Sequence, residues 1–281
     1  MLVDAQVHIW AESSPDRPWP PAGAHTAHRP VPVGVAETLS VLDGAGVHRA
    51  VLVPPSWEGD RNNLALAAAA RYPDRFAVMG RFPLTDPSAA TRLKAWRDQP
   101  GMLGVRLTLH RDPWRTAFGR DELDWFWAAA SDAGLPVMAY APGLSGQLGV
   151  VAHRYPQLRL VVDHLALPVE LTGPEAFADL PALLALARFP NVAAKASALP
   201  CHSRQEFPFT DVHEPLRQVF EEFGPRRVFW GSDWTRLPCS YEENLKLFTD
   251  ELPFLSSADV PAVMGEALLS FLDWPAGGQP R

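Results

Sequence analysis

Eight short apolar segments, each followed by a longer helical pattern, run the length of this 281-residue chain. That repetition predicts a single-domain α/β protein of the (β/α)8 TIM-barrel class. Several of the strand segments are apolar throughout, as expected when helices cover the outer face and side chains fill the inner one. A doubly wound open sheet is the competing architecture. It calls for GxGxxG or GxxxxGKS/T after an early strand, and the chain has neither.

The strand segments fall at 2–9, 49–53, 76–80, 103–109, 136–141, 159–162, 191–196 and 228–230. Helical patterns separate them at 36–45, 61–72, 88–99, 123–133, 144–155, 175–188 and 212–223, and two more follow the last strand at 242–251 and 259–271. Helix stops stand where they are needed, at Gly46, Pro73, Gly134, Pro156, Pro190 and Gly224. Proline is the compositional outlier: 29 residues, about twice the ~5% of average usage. Six of them (Pro15, Pro18, Pro20, Pro21, Pro30, Pro32) lie in the loop 14–33 after the first strand, together with Trp19, His25 and His28. This segment reads as a rigid loop over the strand end rather than a linker. The barrel domain is expected over 1–274, with 275–281 as a frayed tail.

Composition narrows the partners. The net charge is −7, with no basic block, so nucleic acid and anionic membranes have no electrostatic support. Cys201 and Cys239 make neither a disulfide framework nor a CxxC zinc motif. No apolar run approaches ~20 residues, and the N-terminus enters a strand directly rather than a signal peptide. A cytoplasmic protein acting on a small molecule is the expectation, with a homo-oligomer left open.

Barrel chemistry gathers at the C-terminal ends of the strands. The polar residues predicted there are Gln6 and His8, Ser56 and Trp57, Arg81, Arg106 with Thr108 and His110, Tyr140, Asp163 and His164, Lys195 and Ser197, and Asp233 with Trp234. Arg106, Arg81 and Lys195 point to an anionic substrate, because an arginine fork suits a carboxylate; a salt bridge to a buried acid is the equally weighted alternative for Arg106. Trp10, Trp57, Trp114 and Trp234 suit stacking on a planar ring or packing between loops. Cys201-His202 lies in a polar loop with no base at a defined spacing, which argues against a thiol nucleophile.

Three motifs carry a resemblance: Asp-Ala-Gln-Val-His-Ile-Trp at 4–10, Val-Val-Asp-His-Leu-Ala at 161–166 and Phe-Trp-Gly-Ser-Asp-Trp at 229–234. Their order and spacing resemble the amidohydrolase superfamily, in the amidohydrolase-related (family 2) branch that holds sugar lactonases, 2-pyrone-4,6-dicarboxylate lactonase and carboxylase-like decarboxylases. Segments 223–227 and 264–272 extend the similarity over nearly the whole chain. The resemblance implies His-x-His on the first strand, His on the fifth and sixth, and Asp on the eighth. Here the first strand has Gln6 and His8, and Tyr140 stands at the fifth; His164 and Asp233 match.

A Gln amide and a neutral tyrosine are poor zinc ligands, and two losses are hard to reconcile with a conventional metal centre. No cofactor is therefore expected. Asp233 is then the general base, its pKa raised by desolvation. His164 and His8 are the oxyanion donors, each worth roughly 2.7–4 kcal/mol. Gln6, Arg106, Tyr140, Arg81, Lys195, Trp57 and Trp234 are the substrate-binding candidates. The expected reaction is hydrolysis of a lactone or activated ester, of a carboxylated or aromatic small molecule. The alternatives are a decarboxylase or amide hydrolase using one Zn or Mn held by His8, His164 and Asp233, with His25, His28, His110 or His202 completing the site, and a degenerate barrel that only binds ligand.

Overall fold

The computed structural model describes residues 1–21 and 27–275; His25 and the tail from 276 onward lie outside them. Eight parallel strands pair in sequence order: β1 Val3–Val7, β2 Arg49–Leu52, β3 Phe76–Arg81, β4 Met102–Thr108, β5 Val137–Tyr140, β6 Leu160–Val162, β7 Val192–Ser197 and β8 Val228–Gly231. The barrel is nearly closed, with the Asp233 amide just beyond β8 donating to the Gln6 carbonyl of β1 at 2.9 Å. The predicted (β/α)8 TIM barrel is the observed fold.

Two apolar compartments follow from strand alternation. Val3, Ala5, Val51, Ala77, Met79, Leu103, Met138, Val161, Ala193 and Phe229 form one buried cluster inside the barrel, with Leu268, Leu272 and Trp274 of the C-terminal segment packed against it. Val7, Leu52, Val78, Val105, Ala139, Val162 and Trp230 face outward onto the helices. The helix His213–Phe223 shows why these segments are helical. Leu216, Val219, Phe220 and Phe223 fall on one buried stripe, while Arg217 pairs with Glu214 and Glu221 on the wet side.

Four expected helices differ from observation; in one of them, 242–251, the α-helix Tyr241–Lys246 gives way to a widened turn over Leu247–Glu251. Segment 175–188 is broken into Gly173–Phe177, Leu180–Leu184 and Ala185–Arg188; Pro181 lacks the N–H that a continuous helix needs, so it begins a new turn instead. Segment 88–99 is a tighter 3-10 run over Pro87–Asp98, started by the Asp86 side chain accepting from the Ser88 amide. The last helix is widened over Ala262–Glu266 before Ala267–Phe271. There Gly265 lies so close to β1 that an added Cβ would stand 2.6 Å from the Met1 carbonyl oxygen. Among the described residues no helix is long and apolar enough to cross a membrane.

The β1–β8 seam is fastened by a side chain. Asp4 is completely buried and accepts from the Gln6 amide at 3.0 Å, the Ser232 amide at 2.8 Å, the Tyr241 hydroxyl at 2.8 Å and the Ser232 hydroxyl. Gly231 completes the seam, since a Cβ there would meet Gln6 Cβ at 3.1 Å. Burial pushes the Asp4 carboxyl up to about 6, and its four donors offset only part of that.

Asp4→Ala strands several buried donors, each costing about 1–3 kcal/mol, so urea unfolding should show a loss of about 3–5 kcal/mol. Because the native pKa is raised, the stability linked to Asp4 is complete below its unfolded pKa and is lost as pH rises through about 6. The deficit of the variant should therefore be largest near pH 4 and shrink by pH 7; a deficit that grows with pH would contradict this assignment.

Candidate active site

The strand ends surround a cavity of about 380 Å³. Its lining includes His8, His28, His164 and Asp233, together with Arg81, Arg106, Thr108, His110, Tyr140, Trp57 and Arg236. Local backbone sets this up. The pairing of β1 with β2 shifts register between Asp4 and Val7, and such a bulge changes the phase of alternation. Val3 and Ala5 thus fill the barrel while Gln6 and His8 also face inward above them. At the ends of β6 and β8 the chain turns abruptly: His164 has φ 52° and Asp233 φ 49°, left-handed values that non-glycine residues rarely adopt.

Beneath the cavity lies a polar layer, in which inward positions of β4, β6, β7 and β1 meet. Asp163 is wholly buried between two cations, with Lys195 Nζ 2.7 Å from Oδ1 and Arg106 Nε 3.0 Å from Oδ2. Lys195 is also completely buried and donates to Gln6 Oε1 at 2.6 Å. Gln6 Nε2 lies 3.1 Å from His8 Nε2, and His8 Nδ1 lies 2.5 Å from the Val53 carbonyl oxygen. The paired cations hold the Asp163 carboxyl below the usual range despite its burial.

Above this layer His8, His28 and Asp233 each offer a ligand atom, all within 4.8 Å of one another. His8 Nε2 is 3.3 Å and His28 Nδ1 3.9 Å from Asp233 Oδ1. That oxygen is buried and takes no hydrogen bond from any described residue. The set differs from the expected His8, His164 and Asp233: His28 of the Pro-rich loop stands in it in place of His164, and each of these two histidines has a hydroxyl 2.8 Å from Nδ1, Thr235 for His28 and Ser197 for His164. Two histidines and an aspartate are a composition that suits zinc. The cluster could therefore hold a single divalent cation. Gln6 has only its oxygen to offer a cation, and that oxygen is on Lys195; its N–H groups face His8 Nε2, the lone pair a metal would need.

Burial dominates the titration of the histidines. It pushes His8 down to about 3 against the pull of Asp233, and holds His164 well below its ordinary value and His28 below it. All three are neutral near pH 7. Asp233 corrects an expectation: burial favours a raised pKa, but His8, His28, Arg236 and His164 outweigh it and keep the carboxyl below the usual range. It is ionised throughout the ordinary pH range and is a weak base.

Other predicted residues fall in different places. Lys195 and Gln6 sit under the cavity floor, out of substrate reach, because both are fully buried and engaged with each other. Tyr140 lines the cavity with its ring, but its hydroxyl donates to the Leu167 carbonyl at 2.9 Å and accepts from the Val169 amide, so it ties down the β6 loop. Arg106 faces the cavity while paired to Asp163 and to Thr108 Oγ1 at 2.8 Å. Arg81 Nη1 reaches the same hydroxyl at 3.1 Å. Trp57 is part of the wall, packed on His28 with ring centroids 4.6 Å apart; Trp234 lies outside the lining, with Arg29 over its ring. His202 Nδ1 donates to the Leu171 carbonyl oxygen at 2.9 Å, and His202 is not in the cavity lining.

Arg236 was not singled out from the sequence. Its Nη1 lies 3.8 Å from Asp233 Oδ2, and its place three residues after Asp233 is the signal that identifies it.

Lys195→Met leaves Asp163 short of a cation in a dry site, a change that costs about 3–5 kcal/mol. Thermal and urea unfolding should show that loss, although Lys195 touches no solvent and lines no cavity.

The amidohydrolase family profile matches residues 3–267. The L-fucono-1,5-lactonase of Burkholderia ambifaria is 30% identical over 238 residues, covering 83% of this chain and 79% of that protein. Among solved structures, an amidohydrolase from Burkholderia multivorans with bound zinc superposes with a TM-score of 0.79 at 22% identity, over 98% of this chain and 100% of that one. A probable 2-pyrone-4,6-dicarboxylic acid hydrolase from Acinetobacter baumannii with citric acid bound gives 0.73 at 21% identity, over 97% and 99%. With its family profile spanning all eight strands and its polar strand ends converging on one cavity, this chain belongs to the amidohydrolase family and is a hydrolase.

Proposed function

We propose that this protein opens the ring of a small, oxygen-rich lactone by direct attack of water, without a resident metal. The observation that carries this reading is Asp233 Oδ1: a buried, ionised carboxylate oxygen of a cavity-lining residue, with no donor among the described residues. A water bound there donates one proton to Oδ1 and presents a lone pair to the substrate carbonyl. The similarity to L-fucono-1,5-lactonases supports a lactone as the substrate class.

The strength of the base matches the electrophile. A carboxylate held at low pKa removes a proton poorly, which suits an activated ester better than an unactivated amide. The same acidity makes protonated Asp233 a ready donor to the leaving alkoxide. The developing oxyanion lies within reach of Arg236 and of His164, which donates from Nε2 when the Ser197 hydroxyl donates to Nδ1. Arg81 and Arg106, also in the lining, present donors to hydroxyl or carboxylate groups of the ring, so an anionic or polyhydroxylated substrate is favoured.

Asp233→Asn should abolish turnover of sugar-acid and carboxylated lactones, a fall of 10²-fold or more, with the fold intact by circular dichroism. Turnover by protein dialysed against chelator should equal that of untreated protein; activity recovered only on adding zinc or manganese sinks the metal-free mechanism. The rate should not fall on the acid side between pH 7 and pH 5, since Asp233 stays ionised there. Arg81→Met should raise KM for carboxylated lactones with little change in kcat.

A further inference from the structure

Lys195 and Gln6 are not in the cavity lining, yet both are entirely buried and hydrogen-bonded toward the residues that are. From this contact we infer that they act together as positioning residues that hold His8 as its Nδ1–H tautomer, with Nε2 capped, and so keep His8 from ligating a divalent cation. The inference deepens the metal-free reading of the site and rests on it.

Three contacts lead to one protonation pattern. An ammonium group has only donors, so Lys195 Nζ, 2.6 Å from Gln6 Oε1, requires an acceptor there and fixes which way the amide points. The other end of the amide is therefore NH2, a donor, and it lies 3.1 Å from His8 Nε2. Nε2 must accept. His8 Nδ1 lies 2.5 Å from the Val53 carbonyl oxygen, an acceptor, so Nδ1 carries the proton. Asp163, 2.7 Å from Nζ, anchors the start of the chain. For Lys195 Nζ, the Gln6 amide, the His8 ring and the Val53 carbonyl, this is the assignment that gives every donor an acceptor.

The consequence is chemical. The single lone pair on neutral His8 is spent on an amide N–H, so His8 neither donates to an oxyanion nor binds a cation while Gln6 stays in place. It serves instead as a neutral wall 3.3 Å from Asp233 Oδ1. The expectation that His8 stabilises the oxyanion is thereby replaced by a passive role.

The experiment uses the full chain labelled with ¹⁵N-histidine. Long-range ¹H–¹⁵N spectra report which ring nitrogen is protonated, and the His8 signals are assigned by their loss in His8→Gln. A protonated Nδ1 with an unprotonated Nε2, unmoved by one equivalent of zinc, is the expected result. In Lys195→Met the amide is free to flip, and that single-tautomer signature should be lost. Zinc titration by calorimetry should show at least tenfold tighter binding to Gln6→Leu than to the unmodified protein. A proton on Nε2 in the unmodified protein overturns the inference, as does zinc binding equally to both proteins with His8 Nε2 shifting. The spectra of the unmodified protein decide the matter even if a variant fails to fold. A protein with the Nδ1–H signature but no activity on any lactone keeps this inference and removes the proposed function; an active, metal-free protein with Nε2–H does the reverse.

Discussion

The burial of Asp163 between Lys195 and Arg106 is the constraint around which the upper half of the barrel is organised. A carboxylate taken wholly out of water is tolerated only when its charge and lone pairs are matched. Each cation then has donors left over. Arg106 directs one to Thr108 and stands in the cavity wall; Lys195 directs one to Gln6. One buried charge thus aligns residues from β4, β6, β7 and β1, and the chemistry above inherits that alignment.

Around the other edge of the cavity, backbone conformation does comparable work. The seam between β1 and β8 is held by Asp4 through Ser232, and the next residue, Asp233, is forced into a left-handed conformation. His164 at the end of β6 adopts the same unfavourable region. Strain of this kind persists only where the surroundings over-determine it. Here it accompanies two side chains that line the same cavity, with Tyr140 pinning the loop beyond His164.

Much of the fold was legible in the chain itself. Strand alternation and Pro/Gly stops are local signals, and the eight strands lie where those signals put them. The helices were less legible where local rules were overridden by packing: Pro181 inside an apparently continuous pattern, and Gly265 pressed against β1. At the site, Asp233, His164, Arg106, Arg81 and Trp57 could be picked out because strand ends are where barrels place their chemistry. Gln6 and Lys195 could not be assigned correctly. Both are polar and sit at strand ends, and nothing in a linear sequence says that they satisfy each other.

By itself, then, the sequence determined the barrel, the convergence of polar strand ends, and the departure of Gln6 and Tyr140 from a metal-binding pattern. Those properties depend on residue type and on near-neighbour spacing. Tertiary structure alone decided which groups meet: His28 rather than His164 beside His8 and Asp233, Arg236 against the same carboxylate, and a low rather than raised pKa for Asp233. Electrostatics and hydrogen bonding act through space over a few ångströms, and the partners concerned are separated by up to 225 positions of chain.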